Sequence, residues 1–196
     1  LSGLLFLIPT AYAVDGQPTL EIDAKSVILM ESSTGEVLYD VNCDERLPIA
    51  SVTKIMTMLL ICEAIDSGKI SLDDMVSVSE RAMSMGGSTM FLEAGESLSV
   101  SDMLKGIAVA SANDGCVAMA EFLEGSVESF VEKMNKRAKE LMMENTSFVN
   151  SNGLDAENHY SSARDVALMS RELLKHKLIF NYTTIWTDSL RDGKFE

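Results

Sequence analysis

One switch in hydrophobic period limits the fold of this chain more than any other feature. Two short β-rich runs, Ser26-Val27-Ile28-Leu29-Met30 and Glu36-Val37-Leu38-Tyr39-Asp40-Val41, flank Ser32-Ser33-Thr34-Gly35. Gly35 can take the positive φ that a tight turn needs, so this segment predicts a β-hairpin. From Ser51 onward the spacing becomes helical. Ile55, Met58, Leu59, Cys62 and Ile65 recur three and four residues apart, and Ser67-Gly68 ends the run. Residues 69 to 98 are mixed, with a turn at Gly86-Gly87. Ser99 or Ser101 caps a helix to about Ala110, Asn113 caps the next one from Asp114 to Leu123, and Gly125 stops it. A long amphipathic helix is predicted over Ser126 to Met143, with Phe130, Met134, Ala138 and Leu141 on one face. Another opens at the capping-box sequence Ser162-Ala163-Arg164-Asp165 and runs to about Lys175. A two-stranded hairpin is unstable alone. A hairpin followed mostly by helices therefore predicts an α+β fold, with further strands past Glu196.

The 196 residues suffice for one domain with a real core. A net charge of -14 repels phosphate backbones and excludes nucleic acid as an expected partner. The charge otherwise serves solubility. Cys43, Cys62 and Cys116 are too few and too irregular for a disulfide framework. Cys62 and Cys116 fall in apolar helical patterns and read as small core residues, whereas Cys43 lies in a polar turn where it could be exposed. No Cys/His cluster suggests a metal site, and no cofactor motif is visible. Leu1 to Tyr12 is an uncharged apolar stretch ending in Ala11-Tyr12-Ala13, the small-x-small pattern of an export signal, and it is too short to span a membrane. The alternative is a buried N-terminal element. The expected layout is a partial signal peptide over 1–13, a polar lead-in over 14–24, and a single domain over 25–196. The final polar stretch stops where a strand begins at Lys194-Phe195, so truncation at both ends is expected.

Histidine chemistry has little support. His159 lies in a polar loop, and His176 lies at a helix end beside Lys175 and Lys177, where it complements the helix dipole. A serine can instead be activated by a lysine on the same helix face. In Ser51-Val52-Thr53-Lys54 the two residues are three apart, hence neighbours on a helix. Ser51 stands at the helix N-terminus, which favours developing negative charge, and this positive end together with burial would lower the Lys54 pKa towards a neutral amine. A chain this rich in serine yields about one S-x-x-K by chance, so a capping serine with an exposed lysine explains the bare motif equally well. Ser111-Ala112-Asn113 falls at a break between two apolar helices. It is either a helix-capping pair or a polar edge of a cleft. In the second case Ser111 relays a proton, while Asn113 binds a substrate carbonyl and holds Lys54.

The two motifs in this order resemble those of the penicillin-binding proteins and serine β-lactamases. The flanking residues are more specific. Leu47-Pro48-Ile49-Ala50-Ser51-Val52-Thr53-Lys54-Ile55-Met56-Thr57 resembles the nucleophile segment of D-alanyl-D-alanine carboxypeptidases. Gly86-Gly87-Ser88-Thr89-Met90-Phe91-Leu92, Ala110-Ser111-Ala112-Asn113-Asp114-Gly115-Cys116-Val117-Ala118 and Asn158-His159-Tyr160-Ser161-Ser162-Ala163-Arg164-Asp165-Val166-Ala167 resemble three further blocks of the same family. The resemblance implies the serine β-lactamase/penicillin-binding-protein fold, a helical cluster packed on an antiparallel sheet, with its C-terminal strands absent here. It implies Ser51 as the acylated nucleophile, Lys54 as its proton acceptor, and Ser111 and Asn113 as the rest of the proton network and part of the substrate site. The substrate would be the D-Ala-D-Ala end of a peptidoglycan stem peptide, with β-lactam antibiotics as acylating inhibitors and no cofactor. The enzyme would be exported and would work outside the bacterial cytoplasm. A contact with the membrane surface would come through a C-terminal segment beyond this chain. The family's K-T-G strand has no match. It supplies one oxyanion donor, whose removal typically costs about 10²–10³ in rate, so this fragment is expected to be nearly inactive. Asn152 stands where some members carry His, and no role is assigned to it. A class A β-lactamase is disfavoured because Ala112 replaces the Asp of S-D-N and only Glu157 could serve as a deacylating Glu. A non-catalytic β-lactam sensor is the other alternative.

Overall fold

A computed structural model describes residues 22–191 and residue 193. The expected signal peptide, most of the lead-in and the strand at Lys194-Phe195 lie outside the described residues. Strands β1 (Val27–Met30) and β2 (Val37–Val41) pair antiparallel, with Val27 opposite Val41 and Leu29 opposite Tyr39. Their turn is held by the Glu31 carboxylate, which accepts from the backbone N–H of Ser33 and Thr34 and from both hydroxyls.

A 3₁₀ turn over Ala50–Thr53 leads into α1 (Lys54–Asp66). This helix is apolar on every side, as a central helix must be, and Met56, Leu59, Leu60, Ile61 and Cys62 are fully buried. Around it stand α3 (Val100–Ala110), α4 (Asn113–Glu124), α5 (Val127–Glu140) and α6 (Ala163–Leu173). Serine caps open three of these: Ser99 accepts from Asp102 N–H, Ser126 from Ser129 N–H and Ser162 from Asp165 N–H. Each satisfies a donor that the first helical turn leaves unpaired. The hairpin lies on α6, whose Arg171 donates to the carbonyls of Ser32 and Ser33. A helical cluster with antiparallel strands at its edge is the α+β arrangement expected from the sequence.

Several local expectations are corrected. The mixed segment contains β3 (Met75–Ser77), α2 (Glu80–Met83) and β4 (Ser97–Ser99), with β3 and β4 paired antiparallel. The cap of α4 is Ala112, and Asn113 is its first helical residue. Helix α5 stops at Glu140, and Met142 then takes φ +57°. Cys43 is buried, because Arg164 Nη2 donates to its sulfur at 2.9 Å and the side chain is covered. The chain closes its described part with a 3₁₀ turn over Lys177–Ile179 and α7 (Phe180–Thr183). Among the described residues no helix is long and apolar enough to cross a membrane.

Candidate active site

The S-x-x-K segment does not begin as an α-helix. Ser51 sits in the 3₁₀ turn and Lys54 is the first residue of α1. Ala50, just before Ser51, holds φ +43°, a left-handed conformation uncommon for a residue with a side chain. Gly153 explains how the turn keeps this shape. A Cβ built on Gly153 would lie 1.9 Å from the Ala50 carbonyl oxygen, and Gly153 has φ +88°. Only glycine lets the two backbones approach this closely.

Lys54 is 3% exposed. Its Nζ lies 3.0 Å from Ser51 Oγ and donates to the Asn152 carbonyl at 2.7 Å. Burial pushes its pKa below the usual lysine value, and the Cys116 thiol opposes this only in its ionised form. No carboxylate is among the groups that shift it. Burial is therefore the cause that the structure supplies for the expected lowering. A neutral amine at this distance can accept the Ser51 hydroxyl proton.

The second motif ends α3 and starts α4. Ser111 has φ +56° and is half-buried, while Asn113 is buried. Asn113 N–H donates to the Ser88 carbonyl, and its Nδ2 donates to the Gly86 carbonyl at 2.8 Å. Gly87 makes room for this amide: a Cβ there would lie 2.9 Å from Asn113 Nδ2. Among the described residues the Lys54 amine hydrogen-bonds Ser51 Oγ and the Asn152 carbonyl, and not Ser111 or Asn113. The two motifs still face one neighbourhood. Met85 Sδ contacts Asn152 Nδ2, and Leu154 lies against the place of a Gly87 side chain, so residues 85–87 lie between the two arms. Asp114, 1% exposed, receives the backbone N–H groups of Met90, Leu92 and Gly115 and so anchors the loop that carries residues 86–92.

The loop 147–161 is the part that sequence reasoning missed. Thr57 Oγ1 donates to the Ser151 carbonyl at 2.6 Å. His159 is buried, with Nε2 2.7 Å from Thr53 Oγ1 and Nδ1 accepting from Val149 N–H at 3.0 Å. Because Nδ1 accepts, a neutral ring carries its proton on Nε2 and donates to Thr53. His176 is a partner for the Asp66 carboxylate at the other end of α1. Neither histidine touches Ser51. Asn158-His159-Tyr160 was a visible block, but nothing in it signalled the Thr53 contact.

Comparisons with known proteins show which family has this sequence and fold. The sequence matches the D-alanyl-D-alanine carboxypeptidase family over residues 12–193. It is 57% identical over 193 residues to the D-alanyl-D-alanine carboxypeptidase DacF of Bacillus subtilis (strain 168), covering 97% of this chain and 50% of that protein. It is 43% identical over 183 residues to the D-alanyl-D-alanine carboxypeptidase DacC of Escherichia coli (strain K12), covering 88% of this chain and 45% of that one. The crystal structure of penicillin binding protein 6B from Escherichia coli superposes with a TM-score of 0.88 at 36% identity, over 94% of this chain and 60% of that chain. The chain spans about half the length of the curated relatives it matches. A match that runs through both serine motifs and nearly all of the described fold shows that the chain belongs to the D-alanyl-D-alanine carboxypeptidase family.

Proposed function

We propose that the protein is a serine-type D-Ala-D-Ala carboxypeptidase that acts outside the cytoplasm on peptidoglycan stem peptides. The observation that carries this reading is the buried Lys54 amine 3.0 Å from Ser51 Oγ. Ser51 Oγ attacks the carbonyl carbon of the penultimate D-Ala and gives its proton to neutral Lys54. The C–N bond then breaks, and the proton passes through Ser111 to the amine of the departing D-Ala. Water hydrolyses the Ser51 ester and frees the serine. Asn113 presents its amide to the substrate while one of its hydrogens stays on Gly86. A β-lactam acylates the same oxygen, its ring amide opening in place of the peptide bond.

In this reading residues 1–13 belong to an export signal, 14–24 lead in, and 25–196 are the first part of the catalytic domain. The remaining substrate contacts, including the oxyanion donor of the K-T-G strand, come from the rest of the domain. Labelling of the full-length protein with fluorescent penicillin tests the nucleophile. A stable adduct in the wild type and none in Ser51→Ala is the expected result. Labelling that persists in Ser51→Ala sinks the assignment. Release of D-Ala from a pentapeptide then separates a carboxypeptidase from a β-lactam sensor, which would label without release.

A further inference from the structure

The loop 149–159 touches the segment 50–57, which carries Ser51 and Lys54, at four points. Gly153 lies under the Ala50 carbonyl, Asn152 C=O accepts from Lys54, Ser151 C=O accepts from Thr57, and His159 bonds Thr53. Three of these use backbone atoms, which cannot change state. His159 is the exception. Its ring is inside the fold, edge-on to Phe148 with centroids 6.0 Å apart, and it bonds the loop on one side and the nucleophile turn on the other. Thr53, its partner, is fully buried and lies between Ser51 and Lys54 in the chain.

We infer that His159 is a positioning residue for the Ser51–Lys54 pair: as a neutral ring it ties the turn to the loop that holds Lys54, and on protonation it releases that tie. The reason is the donor count. A protonated imidazole has a hydrogen on both nitrogens. Its Nδ1–H would then face the Val149 N–H at 3.0 Å, two donors pointed at each other with no acceptor between. Val149 would have to move, and it lies three residues before the Asn152 carbonyl that fixes Lys54. The charged groups around the ring are Asp155 and Glu157 of its own loop, which line with it a cleft beside Ala50. The turn contributes Thr53 and the segment before it Pro48 and Ile49, none of which titrates. Lys54 turns its amine towards Asn152. Asp155 favours the charged ring, while burial opposes it more strongly, so the ring is neutral under ordinary conditions and charges in acid.

This inference rests on the reading of Ser51 and Lys54 as an acylating pair, and the experiment separates the two. The acylation rate of the full-length protein by fluorescent penicillin is measured from pH 5 to 9 for wild type, His159→Gln and His159→Phe. Glutamine supplies one donor and one acceptor without titrating, whereas phenylalanine keeps the ring and loses both bonds. His159→Gln is expected within about threefold of wild type at pH 8, with a shallower fall towards acid, and His159→Phe at least about tenfold slower at every pH. A fall in His159→Gln as steep as in wild type, or wild-type rates in His159→Phe, overturns the assignment. The Lys54 titration, followed by NMR in the same proteins, gives a readout that needs no acylation. It is expected to move in His159→Phe and to stay in His159→Gln, and an unmoved titration in both overturns the proposal even if the wild type never labels. Should His159→Phe fail to fold, the pH profile of His159→Gln decides alone.

Discussion

The turn that carries Ser51 and Lys54 opens one apolar helix, and the break that carries Ser111 and Asn113 separates two others, yet different kinds of group hold them. The turn is secured by uncharged dipoles from a loop about a hundred residues away: two carbonyls, one imidazole and a glycine with no side chain to clash. The break is secured by a buried carboxylate, Asp114, which collects two backbone N–H groups from a loop some twenty residues before it and a third from its neighbour Gly115. The difference follows from what each must permit. A carboxylate beside Lys54 would stabilise the ammonium and raise the pKa that burial lowers. Neutral acceptors hold the amine without charging it. At the break no proton acceptor has to stay neutral, so the stronger charge-assisted bonds are free to be used.

Removing the lysine should have the largest effect. Lys54→Met is expected to slow acylation by about 10²–10⁴-fold, the usual worth of a general base, as read from penicillin labelling kinetics. Its stability should move the other way. The folded pKa of Lys54 is depressed, so below the unfolded value the folded chain bears a cost, whether by burying the ammonium or by giving up its proton. That cost is complete below the folded value and disappears above about 10.4. Lys54→Met should therefore melt higher than wild type at pH 7, with the gap closing towards pH 10.

Gly153→Ala comes next. Its methyl would overlap the Ala50 carbonyl at a φ that alanine resists, and about 3 kcal/mol of destabilisation is expected in urea unfolding, with acylation lost alongside. Asp114→Asn keeps the shape and removes the charge from the bonds to Met90, Leu92 and Gly115. About 2 kcal/mol of stability should go, with hydrogen exchange accelerating over residues 88–92 while the Lys54 titration stays in place. A shifted Lys54 titration in this variant would mean that the two supports are not separate.

The smallest effect is the acid dependence of stability contributed by His159. Its folded pKa is depressed by burial, so its contribution is complete above the unfolded value of about 6.5 and is lost as pH falls through the folded value. His159→Gln should show a flatter stability curve than wild type across that window in thermal melts.

Much of this arrangement was legible in the sequence, and the remainder was hidden for identifiable reasons. Period and capping chemistry located α1, α3, α5 and α6, because serine caps and apolar spacing are local properties. The i, i+3 spacing placed Lys54 beside Ser51 although the intervening turn is 3₁₀, since such a turn also brings residues three apart together. Strands β3 and β4 were missed because each has three residues and is defined by a partner some twenty residues distant. The Asn152 contact was illegible for a stronger reason: the atom that binds Lys54 is a backbone carbonyl, which every residue carries. Cys43 was misjudged because its cover comes from Arg164, far along the chain.

The packing of Gly153 beneath the Ala50 carbonyl also sets an order of events during synthesis. Residues 50–54 leave the ribosome about a hundred residues before Gly153 and His159, and long-range contacts form only once both partners exist. Until then Ala50 has nothing to press it into a left-handed conformation, and Lys54 lacks the carbonyl that aims it. A nascent or unfolded chain therefore carries a serine and a lysine of ordinary reactivity, and the pair is armed only when the loop behind it has closed.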